Sequence, residues 1–333
     1  MKRIISFLLG IVLALSLFTG CERKTTESSD KIKVLGTVFP PFDFAREIGG
    51  DMIEADMLMT PGTDSHSYSG DNPSDILKIA NSDLFIYIGG ESESLWVEKV
   101  LETVEKAYGK RPETLNLSEH CKLLEENSEG TVLKDGHSGL SFGEHGHDHD
   151  HGHDECAFDE HIWTSLHNAE KMAKAISDKL LEMDGKNRDY YENNFAAFQI
   201  KLRELDNRFK EMFENCENKA LVFADRFPFA YFSHDYSLEC YAAFGGCATE
   251  NEPSPTTIAS LMKIIEEKKA SSVFYIETSK SSVPNALAKA CGGETYLIHS
   301  CHTVTEKLLR EGVTYLSLME QNLDNFRKAL SND

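Results

Sequence analysis

Residues 84–88, LFIYI, carry the pattern that decides the fold. A continuous apolar run of this kind is the mark of a strand buried on both faces, as in parallel sheets. Residues 32–38, IKVLGTV, read as a strand as well, and 53–59 alternate apolar and polar residues like a second one. Between these strands lie helical stretches. Residues 42–48 are closed by Gly49 and Gly50, 73–81 carry Pro73 at a permitted early position, and 95–108 place Leu95, Val100, Leu101 and Val104 near helical spacing. Strands alternating with helices predict a mainly parallel sheet with helices on its faces.

The alternation stops and then resumes. Residues 163–216 form a long helical tract, with Tyr191, Phe195, Phe198, Leu202, Leu205 and Phe209 close to a 3.6-residue period and Gly185 splitting the tract in two. Strands return at 220–224 (ALVFA), 272–276 (SVFYI) and 295–298 (TYLI), with helices near 255–268, 281–290 and 315–330. The expected class is therefore α/β. It has an N-terminal lobe at 31–165, a helical tract at 166–216 that contains the inter-lobe helix, and a C-terminal lobe at 217–333.

With 333 residues, 41% of them hydrophobic, the chain is long enough for two such lobes. Its 55 acidic and 34 basic residues leave a formal charge of −21, which repels phosphate backbones and argues against nucleic acid as a partner.

Residues 1–20 read as a lipoprotein signal peptide. Lys2 and Arg3 are followed by an apolar stretch from Ile4 to Phe18, shorter than a membrane span, and then by Thr19, Gly20 and Cys21. Phe18 stands where such signals usually carry Leu. Cys21 is the expected lipidation site, tying the chain to a bacterial membrane on its extracytoplasmic side through a flexible tether at 21–30. Cleavage to a secreted soluble chain is the alternative. Export permits disulfides, and pairing among Cys240, Cys247, Cys291 and Cys301 fits, although no CxxC spacing marks a thiolate metal site.

Residues 125–155 are rich in Gly, His, Asp, Glu and Ser and read as a mobile insertion. His137, His145, His147, His149, His151 and His153 make it a flexible, weak collector of metal ions, since neutral imidazole suits Zn, Cu and Ni. The bland alternative is a solvated loop. A lone histidine elsewhere is more often a surface or hydrogen-bonded residue than a ligand, but context raises three. His66 lies in the Gly/Ser/Asp loop TPGTDSHSYSGDNPSD, His161 in FDEHIW at the end of the insertion, and His299 in YLIHSCH after a strand. Ligands of α/β sheets sit at strand carboxyl ends, where three imidazoles from separate loops can meet a tetrahedral Zn2+.

MTPGTDSHSYSGDNPSDI, DEHIWTSLHNAEKMA and ADRFPFAYF together resemble the solute-binding proteins of zinc and manganese ABC importers, the cluster A-I or ZnuA-like family. The resemblance runs from Lys31 to Asp333, and the His-rich insertion resembles the zinc branch. It implies two (β/α) lobes joined by a long rigid helix, a metal in the cleft, a monomer without catalysis, and a cognate permease with a separate ATPase subunit. It places His66 and His161 at the first two ligand positions and aligns His299 with the fourth. The third falls on Arg226, which cannot bind a cation, so water or a carboxylate completes the set; Asp225 and Glu277 are candidates for that fourth ligand or for backing the ligands, with Arg226 able to pair with either. An imidazole in place of a carboxylate favours Zn2+ over Mn2+. Glu250 or Glu252 is a further candidate for lining the cleft.

Three other readings compete. A manganese or iron importer subunit lacks its expected carboxylate ligands here. A secreted zinc hydrolase has no HExxH, although Asp159 and Glu160 flank His161. A surface zinc buffer or adhesin would use the His-rich segment alone. No GxxxxGK[ST] loop is present, so any ATP hydrolysis belongs to another chain.

Overall fold

The strand–helix alternation resolves into two parallel sheets. The structure, a computed structural model, describes residues 31–125, 131–134, 138–141, 158–247, 253–279 and 282–330. The N-terminal part runs β1 (Ile32–Gly36), α1 (Phe39–Gly49), β2 (Ile53–Met57), α2 (Pro73–Asn81), β3 (Leu84–Tyr87), α3 (Val97–Tyr108) and β4 (Glu113–Asn116). Its sheet has the order β2-β1-β3-β4, all parallel, with Val34 opposite both Ala55 and Leu84. Leu84, Phe85 and Ile86 are wholly buried, as their unbroken apolar run requires.

Local chemistry sets the helix ends. Pro40 and Pro41 occupy the first turn of α1, where no intrahelical N–H is needed, so that helix starts earlier than residue 42. Asn72 caps α2 by accepting from the Ser74 N–H, and α3 stops at Gly109, whose φ of 67° is left-handed. Leu95 precedes α3 rather than joining its buried face and is 77% exposed.

The helical tract is split as expected. Helix α4 (Leu166–Met183) and the 27-residue α5 (Arg188–Glu214) flank a single 3-10 turn at Gly185–Asn187. At 1.5 Å per residue α5 is about 40 Å long. Tyr191, Phe198, Leu202, Leu205 and Phe209 form its buried stripe, with Phe195 at the margin.

The C-terminal part continues with β7 (Ala220–Phe227), α6 (Ala230–Tyr236), β8 (Glu239–Gly245), α7 (Pro255–Lys268), β9 (Ser272–Tyr275), α8 (Ser282–Cys291), β10 (Glu294–Leu297), α9 (Glu306–Arg310) and α10 (Tyr315–Leu330). Strands β10-β9-β7-β8 lie parallel in that order. The insertion is not wholly irregular. It contains β5 (Thr131–Lys134) and β6 (Ser138–Ser141), an antiparallel pair joined to the β8 edge through Leu133 and Cys240. Its ends are held together by an antiparallel bridge between Glu125 and Phe158 and by the Asp159 N–H donating to the Leu124 carbonyl (3.0 Å). The histidines at 137 and 145–153 lie outside the described residues, as do Cys21 and the other residues of the leader and tether.

One apolar core runs through both parts. Phe44 of α1 packs on Phe198 of α5 and on Tyr315 of α10, and Phe213 packs on Phe326. A smaller cluster, including Val222, Leu261 and Leu287, fills the opposite face of the second sheet. Cys240 and Cys301 carry free buried thiols, so neither takes part in the expected pairing. Among the described residues no helix is long and apolar enough to cross a membrane.

A buried carboxylate ties the two ends of the fold. Asp43, fully buried in α1, accepts from the Tyr315 N–H (2.7 Å) at the start of α10 and pairs with Arg46, which also donates to the Val313 carbonyl (2.6 Å). Burial outweighs the Arg46 charge and pushes the Asp43 carboxyl from 3.8 up to about 6. Asp43→Ala strands both donors and is expected to lower unfolding free energy by about 2–3 kcal/mol in urea melts. The pH dependence has a definite sign. The folded state holds this proton more tightly than the unfolded one, so the stability gained from it is complete below 3.8 and is lost as pH rises through about 6. Urea midpoints of the native chain should therefore fall relative to those of Asp43→Asn across that range.

Candidate metal centre

Three loops converge on one point, two of them following strands β2 and β10. The first follows β2. Asp64 accepts from the His66 N–H (3.2 Å) and caps the 3-10 turn Ser65–Ser67 that carries His66. Gly62, at a φ of 85°, turns the preceding chain, and its N–H donates to Thr303 Oγ1 (2.8 Å). The second loop ends the insertion. Asp159 Oδ1 accepts from the His161 backbone N–H (2.8 Å) and lies 3.0 Å from His161 Nδ1, so the ring's orientation is fixed from behind. His161 is 1% exposed.

The third loop follows β10. Asn322 of α10 clamps His299, accepting from its N–H (2.7 Å) and donating to its carbonyl (2.8 Å). Ser300 donates through N–H (2.8 Å) and Oγ (2.6 Å) to Glu277. Cys301 then takes a left-handed φ of 59°, and the chain turns to present His302, whose Nε2 lies 2.6 Å from Ser65 Oγ.

The rings of His66, His161 and His302 form a nearly equilateral triangle, with centroids 5.3–5.4 Å apart. One ring nitrogen from each lies within 4.8 Å of the others. Tetrahedral zinc with Zn–N bonds of 2.0–2.1 Å needs nitrogens about 3.4 Å apart, so modest side-chain rotation closes the set. Trp163 walls the site, with its ring 5.4 Å from that of His161 and 5.0 Å from that of His302. Burial, reinforced by the neighbouring His161, pushes His66 down to about 4; burial likewise holds His302 well below its ordinary range. At neutral pH both rings are uncharged and keep a lone pair to donate.

The third imidazole is thus His302 and not His299. The Asn322 clamp and the turn at Cys301 separate the two. His299 is held near Gln321 and Glu277, outside the triangle. Glu277 is engaged by Ser300, and Asp225 Oδ1 accepts from the Arg226 N–H (2.8 Å); neither belongs to a metal-sized cluster among the described residues. The ion pair described for Arg226 is with Asp64 (2.9 Å) rather than with Asp225 or Glu277. A register shift between Phe223 and Arg226 in the β7–β8 pairing accompanies this placement, as bulges often do beside functional sites. The Arg226 guanidinium therefore braces the turn that carries His66.

A second cluster shares His66. His66, Glu160 and Cys247 also place one ligand atom each within 4.8 Å of the others. Glu160 is buried, with Oε1 accepting from the Ser92 N–H (2.8 Å) and Oε2 from the Ser92 hydroxyl. Glu250 and Glu252 lie outside the described residues. Sequence reading missed His302, although it stands in the same YLIHSCH loop, because the sharp turn at Cys301 has no glycine to announce it.

Comparison with known proteins agrees with this architecture. Residues 34–329 match the family described as "Zinc-uptake complex component A periplasmic". The zinc-binding lipoprotein AdcA of Streptococcus pneumoniae is 29% identical over 323 residues, covering 97% of this chain but 60% of AdcA, so the chain spans well under two thirds of that relative. The high-affinity zinc uptake system protein ZnuA of Bacillus subtilis is 27% identical over 331 residues, covering 98% of this chain and 97% of ZnuA. The crystal structure of the Zn(II)-bound ZnuA-like domain of Streptococcus pneumoniae AdcA superposes with a TM-score of 0.70 at 25% identity, over 90% of this chain and 99% of that one. Laminin-binding structures from Streptococcus agalactiae, at 19–20% identity, share the fold alone. Family match, two-sheet fold and histidine cluster agree, and the chain belongs to the ZnuA family of zinc-uptake binding proteins.

Proposed function

We propose that this chain captures one Zn2+ ion between His66, His161 and His302 and delivers it, as a monomer, to the permease of an ABC importer whose ATPase is a separate chain. The reading rests on one observation: three imidazoles from three separate loops form a triangle in which one ring nitrogen of each lies within 4.8 Å of the others. Such a set suits zinc better than manganese, whose preference is for oxygen donors. Two of the three rings have partners of their own. Asp159 backs His161 at Nδ1, and Ser65 meets His302 at Nε2, the outer contacts that orient metal-binding histidines. Cys21 supplies the lipid anchor that keeps the carrier at the outer membrane surface of the importer, and the His-rich segment collects zinc for it. Nothing in the site acts on a substrate bond; the carrier's work is binding and release.

Zinc titration of the chain from Lys31 onward, with metal content measured by mass spectrometry, tests this. One tight ion is expected. It should be lost in His66→Ala, His161→Ala and His302→Ala and retained in His299→Ala and after deletion of residues 137–153. Tight binding that survives the three ring variants and vanishes with the deletion would transfer the function to the His-rich segment. Asp159→Ala removes only the support of His161, and competition titrations should show affinity lower by about 10–100-fold with stoichiometry kept.

A further inference from the structure

His66 belongs to two ligand sets, and only one of them is made of histidines. We propose that His66, Glu160 and Cys247 form a second zinc position beside the first, so that an ion held by His66 exchanges its other ligands and moves between the two. The inference rests on the chain's reading as a zinc carrier and concerns the residues that pass the ion on.

The second set is built as a site. The ligand atoms of the three residues lie within 4.8 Å of one another. Thiolate, imidazole and carboxylate are the three donor types that zinc takes in proteins. Glu160 does not float. Ser92 fixes both of its oxygens from the backbone and the hydroxyl, and Gly90 leaves the room it needs, since a Cβ there would lie 2.4 Å from Glu160 Cγ. Gly246 does the same on the other side: a Cβ would lie 3.1 Å from His161 Cε1 and 3.0 Å from the Phe227 carbonyl. Close approach at Gly246 sets the next residue, Cys247, beside the histidines. The set also offers what Arg226 does not. Arg226 of β7 is a cation paired to Asp64, whereas Cys247, two residues beyond the end of the adjacent β8, brings a donor to the same region.

The exchange balances. As the metal–sulfur bond forms, the Cys247 thiol releases its proton to water, and bonds to His161 and His302 break while the bond to His66 persists. The ion's charge is then met by a thiolate and a carboxylate instead of two neutral rings.

Cobalt(II) reports the outcome, because a cobalt–thiolate bond gives a near-ultraviolet charge-transfer band that imidazole and carboxylate do not. The protein from Lys31 onward is loaded with Co2+ as native chain, His302→Ala, Cys247→Ser and the double variant. The band is expected at low intensity in the native chain, at higher intensity in His302→Ala, and lost whenever Cys247 is replaced. Circular dichroism melts confirm that each variant is folded. A His302→Ala protein that is folded but binds no cobalt, or binds it without the band, overturns the second position and leaves the three-histidine site standing. A band that survives Cys247→Ser overturns it as well. If His66→Ala keeps both its cobalt and the native spectrum, the carrier reading itself falls with it.

Discussion

Trp163 sits at the junction on which the metal centre depends. Its indole N–H donates to the Ser300 carbonyl (2.8 Å), its own carbonyl accepts from the Tyr315 hydroxyl (2.6 Å), and its ring lies against both His161 and His302. One buried side chain thus joins the loop that ends the insertion, the loop after β10 and the start of α10. Tyr315 extends the tie to α1 through Phe44 and Asp43. Aromatic packing of this kind is stiff, since core side chains interdigitate at crystal-like density with few alternative rotamers. Imidazoles from distant parts of the sequence are thereby held close together.

Electrostatics limits what such a centre can be. Burial and the neighbouring rings hold His66 and His302 below the ordinary imidazole range, so at neutral pH both rest neutral and ready to donate. Asp64 balances Arg226 nearby, and two further acids beside the rings have partners of their own, Asp159 with His161 and Glu160 with Ser92. For the proposed site, a set of imidazole donors favours zinc over manganese, whose preference is for oxygen.

Much of this was legible in the sequence. The run at 84–88, the split at Gly185 and the aromatic stripe of α5 follow from periodicity, because burial on one face or on two leaves a repeating signature. β4 and β8 were missed: Glu113–Asn116 is mixed in polarity, and Glu239–Gly245 has few large apolar residues, so each depends on its neighbours for its state. His66 and His161 were marked by loop context. His302 was not, because the choice between it and His299 is made by an Asn322 clamp 23 residues further on and by a left-handed cysteine. The pairing of Arg226 with Asp64, 162 residues away, likewise leaves no local trace.

The bridge between Glu125 and Phe158 has a consequence for how such a chain can change over generations. The two ends of the insertion already touch, so residues 126–157 can lengthen, shorten or change composition without moving either end. Loop-closure entropy grows only slowly with length, so such changes weigh little on the fold. The edge of β8, to which the insertion's hairpin pairs, is a part of the framework that excision would expose. The histidine content of this segment can therefore change while His161, three residues beyond Phe158, keeps its place in the ring triangle.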